Sequence, residues 1–163
     1  FLRSARFFTF SHGGYAQNLF LGLRALRAIR VIHTDLKPDN LLLSLDLASI
    51  KISDFGNALE LEMPARPNFI RPAYCTSYRA PEVILGQSYS TRVDMWSAGV
   101  TLFELAAGRA LLTGDANNHF IHGMLKVCGG FPKRFATFGK LATKHFDKDG
   151  NFRCKSSGNR SEE

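Results

Sequence analysis

The chain has 163 residues, 45% of them hydrophobic and 12% aromatic, which is enough for one domain with a sizeable core and too apolar for a disordered polypeptide. Its formal charge of +7 suits an acidic partner, but no basic motif interleaved with aromatics and no finger spacing accompanies it, which argues against direct nucleic-acid binding. Cys75, Cys128 and Cys154 are odd in number and widely spaced, as expected for reduced intracellular thiols rather than a disulfide framework or zinc site, and no apolar run reaches the roughly 18 residues of a membrane span.

Residues Phe1 to Gly14 are aromatic and basic and start without Met, so the sequence reads as a piece cut from a longer chain. From Tyr15 to Arg30, Leu19, Leu23 and Leu26 recur on one face while Arg24, Arg27 and Arg30 spread over the other, predicting an amphipathic helix. Val31-Ile32 leads into His33-Thr34-Asp35-Leu36-Lys37-Pro38-Asp39-Asn40. Two short apolar runs follow, Leu41-Leu42-Leu43 and Ile50-Lys51-Ile52, which predict an antiparallel pair across a polar turn. That pairing brings Asn40 and Asp54, at the outer ends of the two strands, to the same side.

Between Asp54 and Glu82 lie Pro64, Pro67, Pro72 and Pro81 with no helical or strand period, predicting a long surface loop. Thr91 to Ala107 is apolar nearly all round and stops at Gly108, the pattern of a helix buried in the middle of a domain. Asp94 inside it is expected to accept bonds from backbone amides, because a buried carboxylate without partners is costly. The alternative places Asp94 near the helix start, where it would only complement the dipole. Asn117 to Val127 predicts a further helix, with His119 and His122 as surface histidines, and Gly129 to Phe138 an irregular basic-aromatic insert. Asp147 to Asn151 resembles the opening of a calcium loop, but Phe152 stands where Gly is needed and Gly158 where the bidentate Glu is needed, so no calcium is expected.

The segment with chemical content is His33 to Asn40, echoed by Asp54-Phe55-Gly56. A carboxylate, a lysine and an amide within six residues, followed by a second carboxylate on a Gly-hinged turn, suit a metal-bound phosphate. With Ala80-Pro81-Glu82 in the same order, the series resembles the eukaryotic protein kinases, whose signatures run H-R-D-L-x-x-x-N, D-F-G and A-P-E. Tyr78-Arg79-Ala80-Pro81-Glu82 is similar to the CMGC group. Asn117-Asn118-His119, His145-Phe146-Asp147 and Asn151-Phe152 resemble the pre-mRNA-processing kinases within it, as does Thr34 in place of the usual Arg.

The resemblance implies a mainly α fold: a kinase C-terminal lobe with a small β-hairpin at the catalytic loop and the N-lobe absent. It implies a partial kinase domain over residues 1–152 and a polar, disordered tail over 153–163. Asp35 would be the catalytic base, Lys37 the phosphate-neutralising lysine, Asn40 and Asp54 the Mg²⁺ ligands, and His33 and Asp94 structural anchors. Phe55, Gly56, Tyr74, Thr76 and Glu82 would belong to the activation segment. The implied cofactors are ATP and Mg²⁺, and the implied activity is γ-phosphate transfer to Ser or Thr of a protein substrate, splicing factors among the candidates, in the nucleus; the oligomeric state is open. The sequence departs from the family pattern at Cys75, where Ser or Thr is usual, at Thr76, where the group has Arg, and at Pro72, the regulatory Tyr position, with Tyr74 nearby. It also has no G-x-G-x-x-G, and Lys37 and Glu60 are its first lysine and glutamate. A rival reading is therefore a non-catalytic interaction module that keeps a docking surface.

Overall fold

The computed structural model describes residues 12–61 and 76–153. Helix α1, His12–Ala28, begins three residues earlier than its period predicts. It buries Leu19, Leu23 and Leu26 against Leu36, Leu41, Ile50, Ala98 and Leu105. Burying one such leucine stabilises by about 1.5–3 kcal/mol, so this stripe rather than helix propensity fixes where α1 lies.

Strand β1, Val31–Ile32, follows directly, with Ile32 fully buried. The predicted hairpin is present as β2, Leu41–Leu43, and β3, Ile50–Ile52, antiparallel with Leu41 opposite Ile52 and Leu43 opposite Ile50. Its turn is closed by Ser44 and Asp46: the Ser44 hydroxyl donates to Asp46 Oδ1 at 2.6 Å, and the Ala48 N–H donates to the same oxygen at 3.0 Å.

The stretch after Asp54 is not loop throughout. Leu59–Glu60 forms β4, antiparallel to β1 with Val31 opposite Glu60 and Ile32 opposite Leu59, and the Leu61 N–H extends the ladder to the Arg30 carbonyl. A two-residue strand leaves no period to read; its only signal is the partner across from it. The fold of the described residues is thus helices with two small antiparallel sheets rather than helices with one hairpin.

After a 3₁₀ turn at Thr76–Tyr78 come α2, Pro81–Ile84, and α3, Arg92–Ala107. Gly108 ends α3 in the left-handed region, φ 66°, with its N–H on the Glu104 carbonyl at 2.8 Å, a conformation that costs glycine nothing. The expectation that α3 is enclosed on every face is corrected: Val93, Asp94, Ser97, Ala98, Val100, Thr101, Glu104 and Leu105 are buried, but Met95, Gly99 and Ala106 form an exposed stripe. Hydrophobicity alone did not separate the two sides, because beyond Arg92 the exposed positions carry Met, Gly and Ala.

Helix α4, Asn117–Cys128, buries Phe120, Ile121 and Met124 in a second core with Ile84, Leu85, Val100, Leu112 and Phe146. The insert beyond it is also more ordered than its composition suggests, since Lys133–Thr137 forms a short helix, α5, entered from Pro132. The Gln87 side chain ties this region down, donating to the carbonyls of Phe135 at 2.8 Å and Phe138 at 2.7 Å. Gly139, φ 117°, passes so close to the Leu85 carbonyl that a Cβ there would sit 2.3 Å from its oxygen. Among the described residues no helix is long and apolar enough to cross a membrane.

Candidate functional site

The loop between β1 and β2 is held from behind by α3. Asp94 is 1% exposed, and its carboxylate accepts the N–H of His33 at 2.7 Å and of Thr34 at 3.0 Å. This is the amide-accepting role expected of it, not the surface dipole role. Burial pushes its pKa up, while the two amides and the nearby His33 pull it down. Each bond satisfies a buried donor that would otherwise be left unpaired at about 1–3 kcal/mol.

His33 is fully buried and works in three directions. Its Nδ1 accepts the Asp35 N–H at 3.3 Å, its Nε2 lies 2.9 Å from the Ser53 carbonyl, and its ring meets the Phe55 ring edge-on at 5.1 Å. The two ring bonds together require the Nε2–H tautomer. Through it the first carboxylate segment is fastened to the second. Thr34 adds a fourth tie, its hydroxyl donating to the Asn57 carbonyl at 2.8 Å. Thr34 and Asp54 both sit at positive φ, 69° and 62°. For a β-branched residue this strain is of order 1–3 kcal/mol and persists only where surroundings over-determine it. Asp94 and Asn57 do so at Thr34.

On this frame Asp35, 8% exposed, takes the Lys37 ammonium at 2.7 Å and the Asn40 amide at 3.1 Å on one oxygen, Oδ2. The Asn40 amide also donates to the Asp35 carbonyl at 2.7 Å. With Nδ2 so engaged, Asn40 keeps its Oδ1 as an acceptor. Its backbone carbonyl accepts both the N–H and the hydroxyl of Ser53, at 2.9 and 3.0 Å, which puts Asp54 one residue past the position opposite Asn40. Asp54 is exposed, and one of its oxygens accepts the Gly56 N–H at 3.3 Å. An amide oxygen and a carboxylate make a hard donor pair of the kind Mg²⁺ takes when phosphate and water supply the rest. Among the described residues no group of three or more His, Cys, Asp or Glu could hold a metal by itself.

The other predicted residues are spread along the path leaving this centre. Tyr74 and Cys75 lie outside the described residues; Thr76 opens the 3₁₀ turn. That turn is fixed to α3 by two bonds the sequence did not announce: the Tyr78 hydroxyl donates to Glu104 at 2.5 Å, and the Ser97 hydroxyl donates to the Tyr78 carbonyl at 2.8 Å. Glu104 could have been found as Asp94 was, since it is an acid within an apolar helix. Glu82, at the start of α2, is half-buried, and burial raises its pKa; among the described residues no side chain pairs with it.

The motifs that set this sequence apart meet elsewhere. His145 Nδ1 lies 2.5 Å from Asn118 Oδ1, His122 stacks on Phe152 at 5.9 Å, and Phe146 bridges Phe152 across the loop. Asn118, His122, His145 and Phe152 border a cavity of about 320 Å³. His119 pairs with Asp115 at 2.7 Å. The Asp147 carboxylate takes the Asp149 and Asn151 N–H groups and the Asn151 amide, so loop donors occupy the groups that resembled calcium ligands.

A model of the family described as "Protein kinase domain" matches residues 5–149. The Serine/threonine-protein kinase prp4 of Schizosaccharomyces pombe is 40% identical over 140 residues, 85% of this chain and 28% of that protein. The Serine/threonine-protein kinase prpf4B of Dictyostelium discoideum is 34% identical over 135 residues, 83% of this chain and 16% of that protein. A Dual specificity protein kinase YAK1 homolog of Arabidopsis thaliana is 36% identical over 136 residues, 82% of this chain and 14% of that protein. The chain therefore spans less than a third of the length of these relatives.

Proposed function

Because the chain belongs to the protein kinase domain family and resembles Prp4-type kinases most of the way along, we propose that it supplies the catalytic loop of a Ser/Thr protein kinase. The observation that carries this reading is the Asp35 carboxylate, fastened by Lys37 and Asn40 on a loop whose backbone is pinned by Asp94. Asp35 is the residue that orients the substrate hydroxyl and accepts its proton, a role for which a fixed, nearly enclosed carboxylate is suited. Lys37 stands beside it as the counter-charge for the phosphoryl group in transfer. The pair would have to open or share when phosphate enters, since both use Asp35 Oδ2. Asn40 and Asp54 are the residues that would hold Mg²⁺, which when bound to ATP offsets the charge of the phosphate oxygens.

The substrate class is protein Ser or Thr, in line with the relatives' names, and the motif resemblance to the pre-mRNA-processing kinases supports splicing factors as substrates and a nuclear location. The activity is assigned to the whole kinase. The Gly-rich loop and strand lysine that cover the nucleotide phosphates have no counterpart in these 163 residues, which taken alone should transfer no phosphate. Partial activation-segment agreement, with Cys75 and Thr76 at family positions, keeps the interaction-module reading as the rival.

The test is ATP-dependent phosphate incorporation by the whole kinase. Asp35→Asn should lower kcat by about 10²–10⁴-fold with little change in nucleotide affinity. Lys37→Ala should behave alike, and Asp54→Asn should lose activity that added Mg²⁺ partly restores. Parental turnover in all three variants would leave the residues without a catalytic role and put the interaction module in place of the kinase.

A further inference from the structure

We infer that Thr34 is a positioning residue for the Asp54 carboxylate: its hydroxyl fixes the far end of the turn that carries Asp54, while His33 fixes the near end. The inference deepens the kinase reading and rests on it for what Asp54 does. The tie itself stands apart from that reading.

His33 and Thr34 are neighbours in the chain and reach one turn at two places. The His33 Nε2–H donates to the Ser53 carbonyl at 2.9 Å, just before Asp54, and the Thr34 hydroxyl donates to the Asn57 carbonyl at 2.8 Å, three residues after it. Both backbone N–H groups of the pair donate to Asp94. The turn is thus gripped at both ends by a dipeptide that α3 itself holds. Among the described residues the Asp54 carboxylate takes only the Gly56 N–H, at 3.3 Å and within the same turn. Its φ of 62° is one that a non-glycine residue keeps only under restraint. The two end ties supply that restraint.

The residue type at position 34 points the same way. Its φ of 69° lies in the left-handed region, which glycine or asparagine enters far more readily than a β-branched residue does. At 2% exposure the side chain that accompanies this strain has one hydrogen-bonding group, and that group is spent on Asn57. The Arg that the H-R-D signature carries here would not substitute for it, because an enclosed guanidinium needs a counter-charge whereas a hydroxyl needs only a carbonyl. The tie is therefore neutral, and no phosphate or other ion is required to complete it.

The experiment compares hydrogen exchange and Mg²⁺ dependence in the whole kinase for the parent, Thr34→Val, Thr34→Gly and Thr34→Ser. Thr34→Val keeps the branching and removes the hydroxyl. Thr34→Gly removes the hydroxyl while relieving the strain, so a folded variant without it is at hand even where Val is tolerated poorly. The Ala58 N–H belongs to the same peptide unit as the Asn57 carbonyl and donates to the Phe55 carbonyl at 3.0 Å. In both variants its exchange should quicken by more than about tenfold, while that of the Ser53 N–H, at the His33 end, should change by less than about threefold. The Mg²⁺ concentration for half-maximal turnover should rise by about tenfold, with kcat at saturating Mg²⁺ reduced by less than about threefold, since the carboxylate is present but misplaced. Thr34→Ser retains the hydroxyl and should recover most of both parental values. Thr137→Val, which removes a hydroxyl-to-carbonyl bond on α5, should move neither. A threonine that only fills the core would, on replacement, lower the melting temperature and quicken exchange at Ser53 as much as at Ala58, with the Mg²⁺ requirement unmoved. That result overturns the inference, as does parental Ala58 exchange in Thr34→Val and Thr34→Gly, or Thr34→Ser behaving like Thr34→Val. The kinase reading fails separately, if Asp35→Asn and Asp54→Asn keep parental turnover and Mg²⁺ dependence; the Ala58 and Ser53 amides then still decide whether Thr34 holds the turn.

Discussion

The two halves of the molecule are held together by different physics. From β1 through α3, the buried contacts that position residues are polar and directional: Asp94 on two amides, His33 between Asp35 and Ser53, Thr34 on Asn57, Tyr78 on Glu104. From α4 onward the ties are mainly rings. Phe131 meets Phe135 at 5.3 Å and Phe146 at 6.0 Å, and Phe146 meets Phe152 at 5.7 Å. A hydrogen bond fixes distance and angle, whereas apolar packing fixes volume and tolerates small shifts. The half that carries Asp35 uses the former; the half packed beside it uses the latter.

The comparison predicts where stability and geometry part company. Phe146→Ala, at a ring 2% exposed within the aromatic group, should cost about 3–5 kcal/mol, the largest single effect on chemical denaturation. At temperatures where the variant is still folded, hydrogen exchange at the His33 and Thr34 amides should keep its place among the slowest. A loss under about 1 kcal/mol would mean the second core repacks freely and the contrast is overstated.

Asp94→Ala should destabilise less, by about 1–3 kcal/mol, yet speed exchange at the His33 and Thr34 amides well beyond what that loss implies. Those amides lose their acceptor while the strained Thr34 backbone loses one of its two restraints. A melting curve equal to the parent's would instead return Asp94 to a surface dipole role. Tyr78→Phe is a smaller break of the same kind: it leaves Glu104 buried without this donor, so a loss of about 1 kcal/mol is expected by thermal melting.

What could be read beforehand followed the same division. The Asp94 anchor was legible because a buried carboxylate in an apolar helix needs donors, and the hairpin was legible because Leu41–Leu43 and Ile50–Ile52 are short apolar runs either side of a polar turn. The strand Leu59–Glu60 was not, since two residues carry no period, and α5 was not, since five residues behind Gly-Gly-Phe-Pro look like a turn. The open side of α3 was hidden because Met95 counts as hydrophobic wherever it faces. At the site, Asp35, Lys37, Asn40 and Asp54 were singled out from their types and spacing, while Ser53 and Asn57 were not, because Asn57 acts through its backbone carbonyl and Ser53 largely through its own N–H and carbonyl.

The smallest expected effect separates the halves by sign. Burial raises Asp94 above its ordinary value of 3.8, so in the folded protein it binds its proton more readily than in the unfolded chain, and its contribution to stability falls as pH rises from 3.8 through the folded value. His145 is shifted the other way: burial, with Lys144 adjacent, holds it below 6.5. The unfolded chain then binds the proton first, and the His145 contribution is lost as pH falls from 6.5 through its lowered folded value. The groups lining the same cavity are Asn118, His119, His122 and Lys144, so the parent's slope alone does not isolate it. Thermal melts between pH 5 and about 7.5, compared with those of His145→Gln, do: the variant should lose part of the parent's destabilisation on acidification. Parallel pH profiles for parent and variant would show that His145 is solvated enough to titrate normally, and that its bond to Asn118 does not bury it as the aromatic half requires.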